Sequence, residues 1–260
     1  MNVLTKKIIA LIIIFTTISC VNKKINNENI FRYNEYSNIS SLDPAFSSTL
    51  RNIWPCNQIF NGLVKMDEKL NVVSDIAEKW SVSKDKKTYL FKLRDDVYFH
   101  KSIFFKNNTR KVNAYDFEYS FNRILDQNIA SPGAWVMNNV ESFQALNDSI
   151  FEIKLYNNFN SFIEILTMKY CSVVPKEVVE NLGDGFSKRP IGTGPFKFKR
   201  WEENVKLVLR KNENYFQKDT NGNRLPYLEA VSITFLPEKQ SEFLQLVKGK
   251  IDFISGIDNS

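Results

Sequence analysis

One histidine, His100, is all the imidazole that 260 residues carry. A metal site needs several His, Cys or carboxylate ligands converging on one point. His100 is therefore expected to be structural, and neither a metal nor any other cofactor is expected. A Ser-His-Asp hydrolase would have to be built on that one residue, and the chain contains no Gly-x-Ser-x-Gly elbow. Asp95 and Asp96 form a carboxylate pair, but at a loop entry where acids are ordinarily solvated. With no catalytic constellation, no enzymatic activity is expected. The formal charge of +6 is spread along the chain, with no dense Lys/Arg block interleaved with aromatics. No nucleic-acid partner is therefore expected. Glycine is scarce as well: there are 9, two of which bracket a threonine in "RPIGTGPFKFKRW", Arg189 to Trp201. A phosphate-binding loop would end in Gly-Lys-Ser/Thr and lead into a helix. Here Phe196 and Phe198 alternate with Lys197 and Lys199, a period of two. The segment predicts a sharp chain reversal leading into a strand.

Long apolar runs are missing too. The stretch Ile8–Ile18 is too short to span a bilayer. It follows Lys6 and Lys7 and precedes Ser19 and Cys20, the layout of a signal peptide over residues 1–19. A cysteine directly after a small residue at the cut resembles the lipobox of bacterial lipoproteins. That resemblance implies lipidation of Cys20 and a membrane-anchored protein facing the periplasm or the exterior. Residues 20–29 are polar and aperiodic, as expected for a flexible tether. Beyond Cys20 only Cys56 and Cys171 remain. That compartment permits a disulfide, and two buried free thiols are the other reading.

The composition that is present, 43% hydrophobic and 25% charged, is that of a globular chain. Ile30–Tyr33 reads as a strand, and "NIWPCNQIFNGLVKMD" as a short helix stopped at Asn61-Gly62. "WSVSKDKKTYLFKL" reads as a hairpin with Ser83–Lys87 as its loop. The clearest helix is "NAYDFEYSFNRILD", capped by Asn113, with Ala114, Phe117, Phe121, Ile124 and Leu125 on one face. "SIFEIKLYN" is a strand with Phe151, Ile153 and Leu155 on one side. Helices are expected at 161–168 and 176–182. Strands are expected at 196–201, at 205–210 and in "VSITFLP", the last with Val231, Ile233 and Phe235 on one face. A further helix, then Gly249 and a strand start, follow. Strands and helices mix without regular βαβ alternation, so the class is α+β or mixed α/β in several layers.

Seven stretches, in order, resemble the family 5 bacterial solute-binding proteins, the peptide- and nickel-binding partners of ABC importers. They are "SSLDP", "QIFNGLV", "DIAEKWSVSKDKKTYLFKLRDDVYFH", "NAYDFEYSFNRILD", "IGTGPFKFKRW", "LRKNENYF" and "LPYLEAVSITFLPEKQSEFLQLVKGKIDF". The likeness runs from Ile30 to Phe253. It implies a periplasmic-binding-protein-like lobe of type II: 30–63 as its first part, 64–190 as an inserted subdomain and 191–260 as its second part. The family is about twice this length, and the sequence stops where the family crosses into its second lobe, so that lobe is expected to be absent.

The resemblance further implies a lipid-anchored substrate-binding component of an ABC importer, monomeric, taking peptides or similar solutes and docking on permease subunits. It places ligand contacts at Asn38, Ile39 and Ser40, where an extended peptide pairs with backbone, and at Trp135 in the loop "ASPGAWV". With one histidine, the nickel branch is disfavoured. The alternative is a surface lipoprotein, an adhesin or a non-transporting remnant, keeping only one lobe. In the resemblance, Gly-Thr-Gly-Pro is architectural, the place where the chain returns from the inserted subdomain.

Overall fold

The computed structural model describes residues 29–256. Cys20, the leader and the tether up to residue 28 lie outside the described residues. Two four-stranded sheets carry the architecture.

The first sheet joins the two ends of the chain. Strand β1 (Ile30–Glu35) runs parallel to β10 (Ala230–Phe235), in register from Ile30 opposite Ala230 to Glu35 opposite Phe235. Strand β9 (Lys206–Lys211) pairs antiparallel with β10, and β8 (Phe196–Glu202) antiparallel with β9. The order is β1-β10-β9-β8. Asn34 fastens β1 to the end of β10: its Nδ2 donates to Leu236 O at 3.0 Å, and its Oδ1 accepts from Leu236 N–H at 2.8 Å. The alternation expected for β10 is incomplete. Ala230, Val231, Ser232, Ile233 and Phe235 are all buried, because this central strand is covered on both faces. After helix α5 (Lys239–Val247), the expected strand start reduces to a single bridge, Phe253 parallel to Tyr33.

The second sheet is antiparallel throughout, in the order β4-β5-β7-β6. Strands β4 (Ala77–Val82) and β5 (Thr88–Leu93) form the expected hairpin, and β7 (Ile150–Leu155) buries Phe151, Ile153 and Leu155. Strand β6 (Val140–Asn147) was not legible in the sequence. Helix α2 (Ala114–Leu125) packs on this sheet. Asn113 Oδ1 accepts from Asp116 N–H, and the Asp116 carboxylate accepts from Asn113 N–H, a complete capping box. Ala114, Phe117, Phe121 and Ile124 are buried, but Leu125 is 46% exposed and does not belong to the core face. Phe121 packs edge-on against Phe143 and Phe151 with ring centroids at 5.6 and 5.5 Å. Each such burial is worth about 1.5–3 kcal/mol.

The chain passes from the first sheet to the second through α1 (Leu50–Ile59) and the small hairpin β2 (Val64–Met66) with β3 (Val72–Ser74), and returns through α4 (Lys176–Leu182). Only Phe162–Ile165 of the expected helix at 161–168 is α-helical; this is α3, one turn long. A single continuous apolar cluster runs through both sheets. Cys56 and Cys171 are both buried and free, which settles the open alternative in favour of thiols. Burial pushes both up to about 12.

Candidate functional site

Gly192-Thr193-Gly194-Pro195 is a turn that leads into β8. It packs against the end of α1. Gly194 N–H donates to Ile59 O at 2.7 Å. A Cβ on Gly192 would stand 2.1 Å from Ile59 O, and one on Gly194 2.5 Å from Gln58 O. The glycines are there so that two backbones can touch, and neither has a positive φ. His100 closes the turn from the other side. Its Nδ1 accepts from Gly192 N–H at 3.3 Å and its Nε2 lies 2.9 Å from Gly194 O. An accepting Nδ1 leaves the proton on Nε2, which donates to Gly194 O. Burial lowers the His100 pKa to about 4, so the ring is neutral. Thr193 Oγ1 donates to Asn61 Oδ1 at 3.0 Å. The Gly192 and Gly194 amides and the Thr193 hydroxyl are all spent internally, and the turn is a structural joint. Among the described residues, no group of three or more His, Cys, Asp or Glu could hold a metal ion.

The loop leaving β1 is different. Ile39 is 2% exposed, its side chain locked in the core. Ser40 is exposed but tied down: its N–H donates to Asn52 Oδ1 at 3.1 Å, and its Oγ accepts from Asn52 Nδ2 at 2.9 Å. Asn52, in the first turn of α1, also donates to Phe46 O. Asn38 Oδ1 accepts from Trp201 Nε1 at 3.3 Å. Beyond it, Asp43 caps the turn Pro44–Phe46 by accepting from Ala45 N–H, and receives the Arg123 guanidinium in a two-pronged ion pair. That pair is buried, with side-chain exposures of 3% for Asp43 and 11% for Arg123.

Held this firmly, the loop still leaves backbone unused. The amides of Ser37, Asn38, Ile39 and Ser41 donate to no other described residue, whereas those of Ser40, Leu42 and Asp43 do. Unpaired N–H groups on a fixed segment are what an extended ligand needs in order to add as a strand. At the head of the loop, Arg51 lies over the Tyr36 ring at 5.1 Å from its centroid. Glu35, buried at the end of β1, has its pKa raised by that burial, with Glu242 adding to the rise and Arg51 and Lys239 opposing it.

Trp135 sits on the one-turn helix Ala134–Met137 and is 48% exposed. The segment is anchored to the same turn that anchors the loop: Ser131 Oγ donates to Ala45 O at 2.6 Å. No hydrogen bond or ring contact joins Trp135 directly to Asn38, Ile39 or Ser40 among the described residues. The structure thus ties both segments to Pro44–Phe46. Sequence reasoning missed Asn52, Trp201 and Arg123, the residues that hold the loop. Their partners lie 12, 163 and 80 positions away, beyond the reach of any local pattern.

A cavity of 740 Å³ opens elsewhere, between α1, β2, the Lys169–Cys171 turn and Leu225–Leu228. None of Asn38, Ile39, Ser40 or Trp135 lines it. Its polar wall centres on Asp75, whose oxygens accept from Asn61 Nδ2, Gly62 N–H and Gln217 Nε2. Burial raises the Asp75 pKa against the opposing pull of Lys169 and Lys65.

The model of the family described as bacterial extracellular solute-binding proteins, family 5 Middle, matches residues 71–260. The dipeptide-binding protein DppE of Bacillus subtilis is 25% identical over 246 residues, which cover 88% of this chain and 43% of that protein. The periplasmic oligopeptide-binding protein OppA of Salmonella typhimurium is 29% identical over 215 residues, 75% of this chain and 38% of that protein. The chain thus spans less than half the length of these relatives. Among solved structures, the Helicobacter pylori periplasmic binding protein DppA in complex with the peptide STSA superposes with a TM-score of 0.77 at 27% identity. The match covers 85% of this chain and 45% of that one.

Proposed function

The chain belongs to the bacterial extracellular solute-binding proteins of family 5, and from that premise we propose that it forms one wall of a peptide-binding cleft in the substrate-binding component of an ABC importer. The observation that carries the reading is a set of unused amides, Asn38 and Ile39 among them, on a loop pinned at Ser40, Asn38 and Asp43. Peptide carbonyls accept from these amides, a contact indifferent to peptide sequence, and Trp135 offers an apolar plane to a side chain. The fold shared with a peptide-bound relative supports this reading. The protein acts outside the cytoplasmic membrane, tethered through lipidated Cys20, and hands its cargo to permease subunits as a monomer. Residues 30–63 and 191–260 form the main lobe and residues 64–190 the inserted subdomain. Support for that division comes from β1 sharing a sheet with β8–β10 while β4–β7 make their own.

One wall supplies only part of the contact area, while the cost of immobilising a ligand is nearly undiminished. The chain of 260 residues should therefore bind short peptides only weakly, at about millimolar Kd or above. The test is a titration with a mixed short-peptide library followed by amide resonances. Shifts at Asn38 and Ile39 and at the Trp135 indole are expected. Binding that leaves these signals unmoved, or submicromolar binding by this chain alone, contradicts the reading. Replacing Cys20 by Ser should release the protein from membranes; unchanged partitioning contradicts the anchor.

A further inference from the structure

We infer that the cavity between α1, β2 and Leu225–Leu228 is a second ligand site, which takes a monocarboxylate with an apolar body and holds its carboxylate between Lys169 and Lys65. The inference stands apart from the peptide reading, since none of the residues assigned to the peptide wall lines this cavity. Its volume, 740 Å³, is in the usual range for small-molecule sites. The walls are chiefly apolar: Ile53, Phe60, Tyr170, Phe196, Pro226 and Leu228.

The charges select the ligand. Lys65, Lys169 and Asp75 are the charged residues in the lining, two cations against one carboxylate. That carboxylate is saturated, its two oxygens already accepting from Asn61, Gly62 and Gln217. Lys65 Nζ donates once, to Gln217 Oε1 at 2.7 Å, and keeps two N–H groups. The Lys169 ammonium makes no hydrogen bond and no ion pair among the described residues, its carbonyl alone accepting, from Ser172 N–H. The residue is half-buried and lines the cavity, so its ammonium is available to an acceptor that enters. A carboxylate in the cavity would supply the missing acceptor while its apolar body covers the aromatic and aliphatic walls. An uncharged ligand leaves Lys169 unsatisfied, and a cation is repelled.

The state of Lys169 supports the geometry. Desolvation lowers its ammonium pKa, with Lys65 also pushing down and Asp75, Cys56 and Cys171 opposing. A bound carboxylate adds a facing anion, so binding must take up protons at alkaline pH, where free Lys169 has begun to lose its own.

Two sources can present this chemistry, a free organic acid or the C-terminal carboxylate of a peptide. The experiment is calorimetry on the full chain with phenylbutyrate and with N-acetylphenylalanine, each against its neutral amide. Both acids should bind about tenfold or more tighter than their amides, the size of one charge-assisted hydrogen bond. The tighter of the two acids identifies the source. In Lys169→Met the preference for acid over amide should vanish, while thermal unfolding stays close to that of the wild type, since a half-buried side chain without an ion pair has been replaced by an apolar chain of similar length. In the wild type at alkaline pH, the binding heat should depend on buffer ionisation enthalpy, reporting proton uptake. The amide signals of Asn38 and Ile39 should not move with either acid, which separates this site from the peptide wall. Equal binding of acid and amide, no binding of either acid, or an acid preference that survives in Lys169→Met overturns the inference.

Discussion

Consider the replacement His100→Gln, followed through an acid titration. In the folded protein the imidazole is buried between Gly192 N–H and Gly194 O, and its pKa falls from the ordinary 6.5 to about 4. The unfolded chain, with the ordinary value, binds a proton first as the pH drops. Stability from this residue is therefore fully present above pH 6.5 and drains away between 6.5 and about 4. At about 1.4 kcal/mol per pH unit, the loss comes to about 3 kcal/mol. Gln can still donate to Gly194 O but has no charge to gain. Urea unfolding of both proteins at a series of pH values isolates the residue, because carboxylate titrations cancel in the difference. Wild type should lose about 3 kcal/mol more than the variant across that window. The chain has a single histidine, so one imidazole resonance gives the native titration directly. A difference that is flat with pH, or a native imidazole titrating near its ordinary value, would refute the reasoning.

Two further outcomes follow from the same joint and its neighbour. Gly192→Ala places a methyl group 2.1 Å from Ile59 O, which must separate the turn from α1; chemical denaturation should show a loss of about 1–3 kcal/mol or more. Asp43→Asn strands the buried Arg123 guanidinium and should cost about 3–5 kcal/mol, with part of that loss recovered when Arg123→Met is added; simple additivity in that double-mutant cycle would count against the pair.

How much of this was readable in advance differs from element to element. Helix α2 was plain, because its cap, its first-turn acid and its apolar stripe all lie within fourteen consecutive residues, 113–126. Leu125 was misplaced because a helical stripe has an edge, and packing decides which side of it is covered. Strand β6 was missed because it lies at the sheet edge with much of its length facing solvent, so Glu141, Gln144 and Asn147 blur the alternation. The glycines of Gly-Thr-Gly-Pro suggested freedom to turn. The structure assigns them to steric clearance instead, a distinction that only the neighbouring chain could reveal. The loop Asn38–Ser40 came from family likeness. What fixes it in place depends on Asn52 and Trp201, which are distant in the chain. The cavity was invisible because Lys65, Asp75 and Lys169 share no local pattern.

Pairing β1 with β10 brings together residues such as Asn34 and Leu236, 202 positions apart. A chain that emerges from its N-terminus, through a ribosome or a translocation pore, exposes β1 long before its partner exists. The sheet β4-β5-β7-β6 needs only residues 77–155 and three antiparallel neighbours, so its loop closures are shorter and come first. The order of assembly is thus written into the topology. The middle of the chain condenses early, and β1 waits, unpaired, until β10 arrives. Pulsed hydrogen exchange should find Thr88–Leu93 protected before Ile30–Glu35. Until the late strand docks, β1 and the segment that follows it lack the frame that the sheet provides.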